Sequence, residues 1–222
     1  MKPVWFLAAC GFAFAQPGPI HIDAHHALER LQTGNRQYLE GRFDTAHVAA
    51  AARAAVSGGQ HPIATVLSCS DSRVPPELLF NQGLGDLFVV RVAGAVPDQA
   101  VLGSIEYAAE HLHVPLLVVM GHIACGAVKS AMESAPPLTP DPAHANLERI
   151  LSAIRPGLKH ASGGGDRWAN AVHASIGQNI ADTLRLSPLV KEFVGEGRVM
   201  LVGALYDIES GKVEFFNPVA VH

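Results

Sequence analysis

Ile63-Ala64-Thr65-Val66-Leu67-Ser68, running straight into Cys69-Ser70-Asp71-Ser72-Arg73, sets the reading of the whole chain. The first six residues are apolar or β-branched, and they read as a buried strand. The next five are polar, and Pro75-Pro76 then opens a short helix through Asn81. The pattern recurs downstream. Leu87 to Val92 is a second strand, closed by Gly94. Gln99 to His111 is a helix with Val101, Leu102, Ile105, Ala108, Ala109 and Leu112 on one side. Pro115 breaks it, Leu116 to Met120 is a third strand ending at Gly121-His122, and Cys125 begins a helix through about Glu133. Met200 to Tyr206 is a fourth strand, Asp207 to Lys212 a turn, and Val213 to Phe216 a fifth strand. Strands that alternate with helices and read as continuous apolar runs predict a parallel sheet covered on both faces. The expected fold is therefore α/β, a three-layer α-β-α arrangement around a mostly parallel sheet of about five strands. In such sheets functional groups collect beyond the carboxyl ends of the strands. Cys69-Ser70-Asp71 follows the first strand and His122 and Cys125 follow the third, so those two strands bring them together if they are neighbours.

The flanks extend this pattern. Asp23 caps an amphipathic helix carrying Leu28, Leu31, Tyr38 and Leu39. An Ala-rich helical stretch covers about His47 to Val56 and ends at Ser57-Gly58-Gly59. Pro136, Pro137, Pro140 and Pro142 make a loop, and helices follow at about His144–Ile154, Asp166–Leu186 and from Pro188. There is no internal repeat and no domain boundary, so residues 23–222 read as one domain. The 222 residues suffice for a real core. Hydrophobic residues are 49% and charged ones 16%, an apolar balance for a soluble protein. Net charge is −4 with no basic run, which argues against a nucleic-acid partner.

The first fifteen residues read as a signal peptide. Lys2 is a short positive region, Val4 to Phe14 is apolar, and Ala13-Phe14-Ala15 is a small-x-small cleavage signal. A bilayer span needs about 20 apolar residues, so export with cleavage is expected rather than a transmembrane segment, with a bacterial periplasm as the destination. A second signal competes: Leu7-Ala8-Ala9-Cys10 resembles a lipoprotein box, which would anchor the chain by a lipid on Cys10.

Of the three cysteines, Cys69 and Cys125 remain in the mature chain. In an oxidising compartment two cysteines suggest a disulfide first, and a buried cysteine is commonly a small core residue. Thiolate sulfur and imidazole nitrogen are equally the ligands zinc favours. His122 and Cys125, three apart at a strand end opening into a helix, can both point into one site, and Cys69 joins them from another strand end. Three protein ligands leave a tetrahedral position open, the pattern of a catalytic zinc. His61, His111 and His113 are not at comparable strand ends. Asp71 can accept a hydrogen bond from metal-activated water, and Arg73 can pair with Asp71 and keep it ionised. On spacing alone, a loop ion pair and a disulfide stay open as readings.

These segments resemble the β-class carbonic anhydrases. Cys69-Ser70-Asp71-Ser72-Arg73-Val74 and Gly121-His122-Ile123-Ala124-Cys125-Gly126-Ala127-Val128 are similar to that family's two signatures. Gly83 to Arg91, Gly103 to Ala108 and Gly203-Ala204-Leu205-Tyr206-Asp207 are also typical, and the resemblance runs from about Leu28 to Phe216. It implies one zinc per chain on Cys69, His122 and Cys125, and reversible hydration of carbon dioxide to bicarbonate by zinc-bound hydroxide. It implies that Asp71 either pairs with Arg73 or turns onto the metal as a conditional fourth ligand, an inactive state favoured at lower pH. Homodimers or dimers of dimers are implied, with the active site at the dimer interface. Gln60, Phe88, Ala93 and Tyr107 match positions lining the carbon dioxide pocket. One departure is visible: Ala95 stands after Ala93-Gly94, where many members carry Asn. Hydrolysis of carbonyl sulfide or carbon disulfide on the same fold, and a non-catalytic zinc-binding protein, are the alternative readings.

Overall fold

The computed structural model describes residues 22–134, 142–161 and 164–216. The expected signal peptide, Cys10, and the prolines from Pro136 to Pro140 lie outside them.

Five strands form one sheet in the order β2-β1-β3-β4-β5. They are β1 (Ala64–Ser68), β2 (Leu87–Arg91), β3 (Leu116–His122), β4 (Met200–Tyr206) and β5 (Val213–Phe215). The first four are mutually parallel, and β5 returns antiparallel to β4 through the Asp207–Lys212 turn. The expected fold class holds, and β1 and β3 are indeed neighbours, with Ser68 opposite Met120.

Every residue of β1 is buried, so its sequence hides the alternation of a strand. Packing restores it. Ala64 and Val66 face one apolar layer with Val118, Met120, Val202 and Ala204. Leu67 and Cys69 face the other with Val119, Leu201 and Ile176. Helices α1 (Ala24–Leu39) and α3 (Pro76–Leu79) cover the first face. The second carries α4 (Gln99–Glu110), α5 (Gly126–Glu133), α6 (Ala145–Leu158), α7 (Arg167–Leu186) and α8 (Pro188–Gly195). Among the described residues no helix is long and apolar enough to cross a membrane.

Side-chain caps set the helix starts. Asp23 accepts from the His26 amide, Asp98 from Val101, Asp166 from Trp168 and Ser187 from Val190. Two elements differ from expectation. The stretch at 47–56 is split into a 3₁₀ turn, Thr45–Val48, and a short α2 (Ala50–Ala55). Neither buries a residue, so no apolar face holds them as one helix. Helix α6 runs past Ile154 through Pro156 to Leu158. Pro156 removes one hydrogen bond, but Ile154 and Gly157 are buried and keep the last turn in place.

Close packing of α1 on the loop after α3 requires a glycine. A Cβ at Gly34 would lie 1.7 Å from the Phe80 carbonyl oxygen, which is backbone and cannot step aside. Gly34→Ala should therefore destabilise the protein by about 3 kcal/mol or more. That is a fall of roughly 6–12 °C in Tm by calorimetry for a chain of this size.

Candidate metal centre

The parallel register delivers the three donors to one place. Cys69 follows β1, His122 ends β3, and the β1–β3 pairing puts these ends side by side. Ala124 sits between His122 and Cys125 at φ +60°, a left-handed turn that brings Cys125 back as the N-cap of α5. The ligand atoms of Cys69, His122 and Cys125 all lie within 4.8 Å of one another, and all three residues are buried. Both cysteines are free thiols, so the disulfide reading does not hold in this structure.

Two observations test whether a metal fits. The Nδ1–H of His122 donates to the Ile123 carbonyl at 3.0 Å, because a carbonyl can only accept. That fixes the tautomer and leaves the Nε2 lone pair free. Nε2 is buried and has no partner, which is costly for a polar atom unless something coordinates it. The sulfurs are poised to match. Hydrogen bonding from Cys125 pulls Cys69 down to about 4, against the opposing effect of burial, with the Asp71 and Gly94 amides assisting. The same bond and burial push Cys125 up while Cys69 carries the charge. Two buried sulfurs side by side and a free imidazole nitrogen are a donor set that suits zinc.

Asp71 and Arg73 stand at the mouth. Asp71 Oδ1 accepts from the Arg73 amide at 3.0 Å and from Nε at 2.9 Å, and Oδ2 accepts from Nη2 at 2.7 Å. Those hydrogen bonds hold the Asp71 carboxyl well below the usual carboxylate range. Oδ2 lies 3.9 Å from His122 Nε2, so the ion pair borders the donor cluster.

The residues expected to line a carbon dioxide pocket are dispersed in the single chain. Ala93 adjoins the centre, since the next residue, Gly94, donates its amide to Cys69 Sγ at 3.4 Å. Phe88 and Tyr107 touch each other with ring centroids 6.2 Å apart. Phe88 pairs with Thr65, three residues before the β1 end, so this aromatic pair lies along the β2 edge away from the donors. Gln60 is exposed ahead of β1.

Three contributors escaped the sequence reading. Arg91 donates from Nε to the Cys69 carbonyl at 3.0 Å and from Nη2 to the Asp71 carbonyl at 2.6 Å, clamping the loop. A charged residue closing an apolar strand was the available signal. Trp168 Nε1 donates to the Cys125 carbonyl at 3.0 Å. Asn179 Nδ2 donates to the Gly94 carbonyl at 2.9 Å. Both come from α7, far along the chain, with no local mark.

The model of a family described as carbonic anhydrase matches residues 64–213, which include every donor and the Asp71–Arg73 pair. The chain belongs to the β-class carbonic anhydrase family. Carbonic anhydrase 2 of Mycobacterium tuberculosis (strain CDC 1551 / Oshkosh) is 36% identical over 188 residues, 84% of this chain and 89% of that protein. The carbonic anhydrase of Mycolicibacterium smegmatis is 37% identical over 190 residues, 85% and 91% of the two chains. Among solved structures, the β-carbonic anhydrase CcaA superposes with a TM-score of 0.65 at 28% identity, covering 89% of this chain and 93% of that one. A tetrameric β-carbonic anhydrase from Sordaria macrospora shares the fold, with a TM-score of 0.64 at 23% identity over 88% and 98% of the chains. The enzyme class is thus carbonate dehydratase. The one departure from the family pattern also has a physical reading. Ala95 sits at φ +54°, a left-handed conformation that Asn tolerates better than Ala.

Proposed function

We propose that this chain is a zinc enzyme that reversibly hydrates carbon dioxide to bicarbonate and a proton, with Cys69, His122 and Cys125 holding one zinc ion. The observation that carries this is the buried donor trio with an unpartnered His122 Nε2. Cys69, His122 and Cys125 would hold the zinc, which when bound would supply the Lewis acidity that makes water a nucleophile near neutral pH.

The chain's own residues do the rest. Arg73 holds Asp71 ionised and turned toward the donors, so Asp71 Oδ2 would accept a hydrogen bond from the O–H of the attacking water and orient its lone pair. Arg91 pins the carbonyls of Cys69 and Asp71 and so fixes the spacing between donor and orienting carboxylate. Carbon dioxide is small and uncharged, so it needs an apolar wall rather than a cation. Ala93 offers part of that wall. Phe88, Tyr107 and Gln60 join it across a homodimer interface, in a dimer or a dimer of dimers. The half-exposed β2 edge supports that assembly, as does the tetramer described for the Sordaria relative.

A carbon dioxide hydration assay on purified, zinc-analysed protein tests this. One zinc per chain and rapid hydration at mildly alkaline pH are expected. No activity in zinc-loaded protein refutes the proposal, and faster turnover of carbonyl sulfide or carbon disulfide reassigns the substrate.

Export to a bacterial periplasm is proposed with it, by cleavage after Ala15. Lys2, the apolar run and Ala13-Phe14-Ala15 support this reading, and Leu7-Ala8-Ala9-Cys10 is the signal that competes with it. Mass spectrometry of the mature protein should give Gln16 as the first residue, and an acylated Cys10 would overturn that.

A further inference from the structure

Helix α7 passes the metal centre on the sheet face that carries Cys69. Asn179 on that helix is 2% exposed, and its Nδ2 donates to the Gly94 carbonyl at 2.9 Å. The Gly94 amide in turn donates to Cys69 Sγ at 3.4 Å. The turn between these bonds is unusual. Gly94 and Ala95 are both left-handed, at φ +70° and +54°. A Cβ on Gly94 would lie 2.7 Å from Ile154 Cδ1, so the Ile154 side chain would have to shift, and the positive φ would strain any other residue there. The other end of the Asn179 amide is uncommitted. Its Oδ1 is buried with no partner. With Ser175, Ile176 and the three donors it lines a cavity of about 10 Å³, close to the room one water needs.

Asn35 shows what a structural asparagine looks like in the same protein. It is 4% exposed, donates to the Leu79 and Gly211 carbonyls, and accepts from the Val213 amide. Both ends of its amide are satisfied. Asn179 instead spends one end on the turn and leaves the other open beside the ligands.

We infer that Asn179 is a positioning residue for the metal centre, holding the Gly94–Ala95 turn so that the Gly94 amide stays on the Cys69 sulfur. This rests on the zinc reading given above. A thiolate ligand directed by an N–H is fixed in orientation, and outer hydrogen-bond partners of metal ligands set affinity as well as geometry. Without Asn179 the buried Gly94 carbonyl loses its donor, and the left-handed Ala95 loses the anchor that opposes its relaxation.

The test uses Asn179→Ala and Asn179→Ser, with Asn35→Leu as the comparison. Zinc affinity is read by competition with a chromophoric chelator, and the visible spectrum of the cobalt-substituted proteins reports the thiolate–metal geometry. Both Asn179 variants should bind zinc about 10–100-fold more weakly than the parent, with a shifted thiolate-to-cobalt band. Asn35→Leu should lower the melting temperature but leave affinity and spectrum unchanged. Asn179→Ser leaves a smaller void and keeps the measurement open if the alanine variant fails to fold. Asn179 variants that match the parent in affinity and spectrum overturn the inference alone. So does an Asn35→Leu protein that loses zinc equally. A parent that binds no zinc defeats the proposed function, and the inference with it.

Discussion

Cys69→Ala should give a chain that folds, retains no zinc, and hydrates carbon dioxide at least about a thousand-fold more slowly than the parent. The folding half follows from packing. Cys69 is 5% exposed within the apolar layer that also holds Leu67, Val119 and Ile176, where a cysteine behaves as a small hydrophobe. Alanine fills most of that volume, so the apo melting temperature should move little. The loss of function follows from the donor set. Among the described residues, Cys69, His122 and Cys125 are the one cluster of His, Cys, Asp and Glu whose ligand atoms close on a common point. Removing Cys69 takes away one of the two buried sulfurs of that cluster, the one that also accepts the Gly94 amide. Enzyme accelerations are typically about a million-fold or more, and the water-activating share of that belongs to the metal. Zinc content by plasma emission, apo and holo melting curves, and stopped-flow hydration check the three claims separately. A Cys69→Ala protein that keeps both its zinc and its rate would show that the metal lies elsewhere.

The comparison of chain and structure turns on where information is local. Most strand and helix positions were legible because each carries its own mark: β-branched apolar runs, the Asp23 cap, Gly and Pro stops. Even the edge strand β5 was visible from its turn. The donor trio was legible as types and spacing, and the β1–β3 pairing supplied the proximity that spacing alone left open. The Asp71–Arg73 pair was readable because it lies within one loop. Trp168 and Asn179 were not, because they act through backbone carbonyls of residues 43 and 85 positions away. A helix that braces a site by hydrogen-bonding main chain leaves no pattern except a polar residue on an apolar face. Phe88 and Tyr107 show the opposite limit. Their placement along the β2 edge does not complete a pocket within one chain, so their role depends on what meets that edge.

Asp71→Asn and Arg73→Gln should each cut turnover by about 100-fold, yet the double variant should be no worse than either alone. Asp71 accepts three hydrogen bonds from Arg73, two on Oδ1 and one on Oδ2, which fix the direction of the carboxylate and leave Oδ2 able to accept one more. The Arg73 side chain is 51% exposed and that of Asp71 is 18% exposed, so the pair contributes little to folding and acts chiefly by holding direction. The sign of its pH dependence follows from the depressed Asp71 ionisation. A lowered carboxylate is ionised in the folded protein at every pH above its shifted value, and its contribution is lost only as the pH falls through that value. Activity changes of the parent near neutral pH therefore do not arise from protonating Asp71. In Arg73→Gln the hydrogen bonds that depress the ionisation weaken, and the acid limb of the pH–rate profile should move toward neutral. The released carboxylate, with Oδ2 already 3.9 Å from His122 Nε2, is then free to turn onto the centre. In the double variant an amide replaces that anion and the obstruction disappears. Steady-state hydration across the pH range for the four proteins decides the matter. Costs that multiply in the double variant would mean that Asp71 and Arg73 act independently, and the role of Arg73 in holding Asp71 would fall.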